Sequence, residues 1–91
     1  MQTVIIHLAI LDDHQIVIDG LKLLLQDHLK FEIIAEANSA EEMLQLLRRI
    51  KVDVLLTDIT MPYGMSGYDL SLLLKREMPQ LKILALSMSE E

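Results

Sequence analysis

Cysteine and tryptophan are absent from the 91 residues, and aromatic side chains make up only 3% of them. Without cysteine there is no disulfide framework and no thiolate metal site, which agrees with a reducing, cytoplasmic setting. With so few aromatics, a chain that is 52% hydrophobic must build its core from Leu, Ile, Val, Ala and Met. Helix-covered parallel sheets have that composition. Basic residues are also scarce: eight Lys and Arg face 14 Asp and Glu, for a net charge of −6, and none of them gather into a patch. Direct nucleic-acid binding by this segment is therefore not expected. No apolar run is long enough to span a bilayer, and Val4 to Leu11, broken by His7, has no basic flank. It reads as a buried strand rather than a signal peptide or membrane anchor. Three glycines and two prolines make no linker, and there is no internal repeat or low-complexity segment. One domain over residues 1–91 is expected, long enough to bury well over half of its unfolded surface without staples.

The chain instead contains alternating apolar runs and helical stripes. Ile6 to Leu11 predicts a strand, β1, ending at Asp12 and Asp13. Gln15 to Leu29 then places Ile16, Leu21, Leu24 and Leu25 at helical spacing, α1. Phe31 to Ala37 predicts β2, and Ser39 with Glu42 three residues on is a capping-box signature opening α2, with Met43, Leu44, Leu47 and Ile50 on one face. Val52 to Thr57 predicts β3, ending at Asp58, and Met61-Pro62-Tyr63-Gly64 is a turn. Tyr68 to Met78 predicts α3, stopped by Pro79, and Lys82 to Met88, apolar on both faces, predicts a buried β4. The order βαβαβαβ implies an α/β fold with a doubly wound parallel sheet joined by right-handed crossovers.

In such sheets ligands sit beyond the carboxyl ends of the strands where strand order reverses, and Asp12, Asp13 and Asp58 all fall at strand ends. If β1 and β3 are neighbours, about 5 Å apart, these acids repel one another and stay ionised together only around a cation. Mg²⁺ suits hard carboxylate oxygens while keeping waters and phosphate oxygens in its shell. The plainer alternative is that Asp12 and Asp13 cap α1 and Asp58 is a turn acid. For Ser87 it is a small residue tolerated in a strand. His7, His14 and His28 lack metal-ligand spacing, although His14 lies beside the acids. The methionines at 43, 61, 65, 78 and 88 read as core or loop filling.

The sequence resembles the receiver domains of two-component response regulators, which have a flavodoxin-like fold with five parallel strands. The resemblance is carried by Ile10-Leu11-Asp12-Asp13-His14, the block Asp58-Ile59-Thr60-Met61-Pro62, Gly67 opening α3, and Ser87 at the end of β4. The run from Leu11 to Gln15 through Asp19-Gly20-Leu21 is similar to receivers joined to a helix-turn-helix DNA-binding output domain. The resemblance implies a signalling protein rather than an enzyme. Asp58 would take a phosphoryl group from a phosphohistidine on a sensor histidine kinase or phosphotransfer protein. Asp13 would bind Mg²⁺ directly, Asp12 through a water or in support, Asp58 as the phosphorylated ligand, and Thr60 through its backbone carbonyl. Ser87 would hydrogen-bond the phosphorylated oxygen.

Two departures from the family pattern stand out. Tyr63-Gly64-Met65 makes the loop after β3 one residue longer than usual, and the final helix, strand and helix of a complete receiver, including an essential lysine, do not follow β4. These departures imply an open β4 edge and hence a homodimer through that strand or an apolar face. They also keep open a receiver-derived interaction module that is not phosphorylated. A Mg²⁺-dependent phosphohydrolase is a weaker alternative, because such enzymes need Asp-x-Asp after the first strand and here the acids are adjacent.

Overall fold

The computed structural model describes residues 4–62 and 64–86. Its elements are β1 Ile6–Leu11, α1 Gln15–Leu25, β2 Phe31–Ala37, α2 Ala40–Leu47, β3 Val54–Asp58, α3 Gly67–Glu77 and β4 Lys82–Leu86. All strands are parallel in the order β2-β1-β3-β4. The chain steps from β1 to β2 on one side and then crosses to β3 on the other, so the switch point lies between β1 and β3. Leu11 pairs with Thr57 across that junction, and Asp12 and Asp58 follow one residue later on each strand.

Alternation along β1 divides the interior. Ala9 and Leu11 belong to the main core with Met43 and Leu47 of α2, Leu55 of β3, and Leu70 and Leu74 of α3. Leu8 and Ile10, also buried, point to the opposite face, where Ile18 of α1 is fully buried. The four apolar positions expected to bury α1 need correction here. Ile16 and Leu24 are each 79% exposed, and the stripe that packs is Ile18 with half-buried Leu21 and Leu25. Apolar residues lie on more than one side of this helix, Ile16, Leu23 and Leu24 as well as Ile18, Leu21 and Leu25, and only contact with the sheet selects the stripe that is buried. The helix also stops at Leu25 rather than Leu29, in a turn where the His28 N–H donates to Leu25 O at 3.0 Å.

α2 follows its expected start, with Ser39 Oγ accepting from Glu42 N at 3.2 Å. A reciprocal capping box occurs instead at α3, where Ser66 and Asp69 each bond the other's backbone N–H. β3 begins two residues later than predicted because Asp53 is spent on tying strands together. Its N–H bonds His7 O, its carbonyl takes Lys82 N–H, and its Oδ2 takes His7 N–H at 2.8 Å. β4 is not a strand buried on both faces: it is an edge of the sheet among the described residues, and Leu84 is 55% exposed. Met88 and Ser87 lie outside the described residues.

Candidate metal centre

The carboxyl ends of β1 and β3 bring Asp12, Asp13, His14 and Asp58 together, each offering one ligand atom within 4.8 Å of the others. Asp12 is buried, and its Oδ1 accepts the His14 backbone N–H at 2.8 Å, with the His14 ring Nδ1 at 3.2 Å. Its backbone is pinned on both sides: Asp12 N–H donates to Ala37 O, and Asn38 Nδ2 donates to Asp12 O. Asp13 Oδ1 is buried and has no hydrogen-bond partner. His14 Nδ1 stands 3.0 Å from it, but the aligned ring contact is the one to Asp12. A buried carboxylate oxygen without a donor costs free energy, and three acids this close repel. A divalent cation with oxygen preference relieves both, so the residues present fit such an ion.

At β3, Asp58 Oδ1 accepts from both the N–H (2.9 Å) and the hydroxyl (3.1 Å) of Thr60. Thr60 thus does more than expected, orienting the Asp58 carboxylate through its own side chain. The start of α3 presses directly against this strand end, since a Cβ built on Gly67 would lie 1.8 Å from Asp58 O. Ser87 lies outside the described residues.

In the loop after β3, Gly64 stands at φ +71°, a left-handed conformation that glycine adopts without strain. Glu41, in the first turn of α2, then holds the loop by accepting the Met65 N–H at 3.0 Å. That donor, with Glu41's own N–H, keeps the Glu41 carboxyl below the usual glutamate range. A lowered folded-state value means the clamp is in place above the ordinary glutamate pKa and is lost as pH falls through the lowered one. The Met65 amide shift is therefore expected to titrate below the ordinary glutamate range, and to lose that titration in Glu41→Gln.

A polar network beside the acids was not expected from the sequence. Asn38 Nδ2 also donates to Gln15 Oε1, and Gln15 Nε2 donates to Asp19 and Glu36. Lys22 Nζ closes the chain on Glu36 at 2.7 Å, holding the Glu36 carboxyl below and the Lys22 ammonium above their usual ranges. The only sequence signal was an Asn just after a predicted strand end. A cleft of about 770 Å³ between the C-terminal ends of α2 and α3 shares no residue with the acidic cluster.

The family described as the response regulator receiver domain matches residues 8–91. The chain belongs to this family. The receiver is similar to the response regulator GacA of Pseudomonas viridiflava, 35% identical over 86 residues, covering 94% of this chain and 40% of GacA. It is similar also to the transcriptional regulatory protein MctR of Rhizobium johnstonii, 36% identical over 93% of this chain and 39% of MctR. The chain therefore spans about two fifths of the length of these relatives. Its fold matches the non-phosphorylated receiver domain of the stress response regulator RcsB from Escherichia coli with a TM-score of 0.86 at 30% identity, over 96% of this chain and 68% of that one. Receiver domains are signalling modules of two-component systems, and the acidic cluster of this receiver lies at the switch point of its sheet. No helix among the described residues is long and apolar enough to cross a membrane.

Proposed function

We propose that Asp58 is the phosphoacceptor of this receiver. It takes a phosphoryl group from a phosphohistidine of a sensor histidine kinase or phosphotransfer protein. The observation that carries this reading is the convergence of Asp12, Asp13, His14 and Asp58 at the adjoining ends of β1 and β3. Thr60 occupies Asp58 Oδ1, which leaves Oδ2 as the attacking oxygen. Attack on phosphorus forms the O–P bond as the P–N bond to histidine breaks, and the in-line approach comes from the open mouth of the sheet. Asp13 and Asp58, with Asp12 in support and the Thr60 carbonyl, hold Mg²⁺. When bound, Mg²⁺ supplies neutralising charge to the phosphoryl oxygens. Ser87 is the hydroxyl assigned to the phosphorylated oxygen on the family resemblance.

Incubation with Mg²⁺ and acetyl phosphate, read by intact mass and by mapping the modified peptide, tests this reading. The expected result is one phosphoryl group on the peptide containing Asp58, absent from Asp58→Asn. Phosphate on another residue, or none on a protein shown to bind Mg²⁺, overturns it.

Residues 1–91 lie within one cytoplasmic receiver domain in this proposal, without direct nucleic-acid contact. A second copy of the chain is the further partner proposed, meeting the first along β4 or an apolar face. Leu84, 55% exposed on a strand that forms an edge of the sheet among the described residues, supports that contact. Light scattering of the 91-residue chain is expected to give twice the chain mass, falling to one chain in Leu84→Lys. A mass of one chain, unchanged on concentration, removes the proposal.

A further inference from the structure

We propose that His14 is a ligand of the divalent cation and biases this receiver toward cations that accept imidazole nitrogen, such as Co²⁺ and Ni²⁺, relative to Mg²⁺. The inference rests on the metal-centre reading above and concerns which ion that centre prefers. Its basis is where the imidazole points. His14 is the N-cap residue of α1, yet its side chain makes no capping hydrogen bond to the helix. The ring turns back instead, placing Nδ1 3.2 Å from Asp12 Oδ1 and 3.0 Å from Asp13 Oδ1. Donor atoms about 2.1 Å from one octahedral ion stand about 3.0 Å apart when they are adjacent in its shell. The His14 nitrogen thus already stands from each of the two carboxylate oxygens at the spacing of a neighbouring ligand.

Two further features allow the same nitrogen to serve. The His14 backbone N–H is held on Asp12 Oδ1 at 2.8 Å, so the residue is fixed at the mouth of the site before any ion arrives. The side chain is 68% exposed, which leaves room for the Nδ1 proton to pass through water to Nε2 and free the Nδ1 lone pair. Imidazole adds little for Mg²⁺, which prefers oxygen, and progressively more along the series from Mn²⁺ through Co²⁺ to Ni²⁺. The orphaned Asp13 Oδ1 and the His14 ring would then meet in one coordination shell rather than in a poorly aligned contact with each other.

The opposing possibility is that His14 serves as a cationic substitute for the metal, pairing with Asp12 and Asp13 and competing with every divalent ion alike. The two roles predict opposite signs for one substitution. Amide and ring nitrogen shifts of the full 91-residue chain, titrated separately with Mg²⁺, Co²⁺ and Ni²⁺, give the affinities for wild type, His14→Ala and His14→Gln. His7 and His28 remain as internal controls for adventitious histidine binding. The expected result is a loss of about tenfold or more in Co²⁺ and Ni²⁺ affinity in both variants, with Mg²⁺ affinity held within about twofold. In wild type the His14 ring nitrogens should respond at the same Ni²⁺ and Co²⁺ concentrations as the Asp13 and Asp58 amides. Equal affinities in wild type and both variants, or a uniform gain for all three ions, overturns the inference while leaving the metal centre in place. If Mg²⁺ shifts none of the amides of Asp12, Asp13 and Asp58, the metal-centre reading itself fails, and the two failures are thereby distinguished.

Discussion

Asp13→Ala is expected to remove the protein's response to divalent cations while making the metal-free fold more stable. Asp13 Oδ1 is buried without a hydrogen-bond partner, in a cluster whose ligand atoms lie within 4.8 Å of one another. In metal-free protein that oxygen stands 3.0 Å from His14 Nδ1 without an aligned hydrogen bond, so desolvation and repulsion outweigh the contact and its removal should stabilise the fold by about 1 kcal/mol. With Mg²⁺ at about a hundred times its dissociation constant, wild type should gain about 2.7 kcal/mol by linkage. The variant should gain no more than about 0.4 kcal/mol, because losing the carboxylate proposed to coordinate the ion lowers affinity by about a hundredfold or more. Thermal unfolding with EDTA and with Mg²⁺ checks both halves. A variant that is less stable without metal, or whose Tm rises with Mg²⁺ as much as that of wild type, contradicts the assignment of Asp13.

Gly67→Ala is expected to destabilise the protein by about 3 kcal/mol, although alanine is the better helix former. The added methyl carbon would sit 1.8 Å from Asp58 O, 2.8 Å from Asp58 C and 2.8 Å from Thr57 Oγ1. Two of those atoms are main chain, and the third belongs to a fully buried threonine that donates to Asp58 O at 2.9 Å. None of them can swing aside as a flexible side chain would. Relief requires moving the start of α3 away from the end of β3, which also shifts Asp58 relative to Asp12 and Asp13. Weaker Mg²⁺ binding should therefore accompany the loss of stability. Gly20, inside α1 with nothing within 4 Å of its virtual Cβ, provides the contrast. Gly20→Ala should stabilise by about 0.8 kcal/mol from helix propensity alone. Urea unfolding of both variants decides the point: equal and small effects would show that α3 does not press on β3.

The acidic triad was legible in the sequence because each acid follows an apolar run with strand character, and the alternation of strands and helices sends all such ends to one side of the sheet. Asp12, Asp13 and Asp58 are accordingly brought together, and the parallel βαβαβαβ order matches the receiver fold. Gly67 stands out in the sequence through its place in the family pattern, but its contact with Asp58 O depends on how closely α3 seats on the sheet. His14 lies beside the acids in the sequence, with no sign there of which way its ring turns.

What the sequence alone determined about this protein is the type and order of its elements, the strand ends that carry acids, and the family to which it belongs. These follow from local apolar periodicity and from motifs that each span a few residues. The tertiary structure decided which stripe of α1 is buried, since Ile16 and Leu24 are as apolar as the residues that pack. It also decided that Asn38 holds Asp12 from 26 positions away, and that Glu41 clamps Met65 from 24. Burial and long-range hydrogen bonds depend on how separate elements dock. Docking is settled by the packing of the whole core and leaves no periodic trace in any one segment.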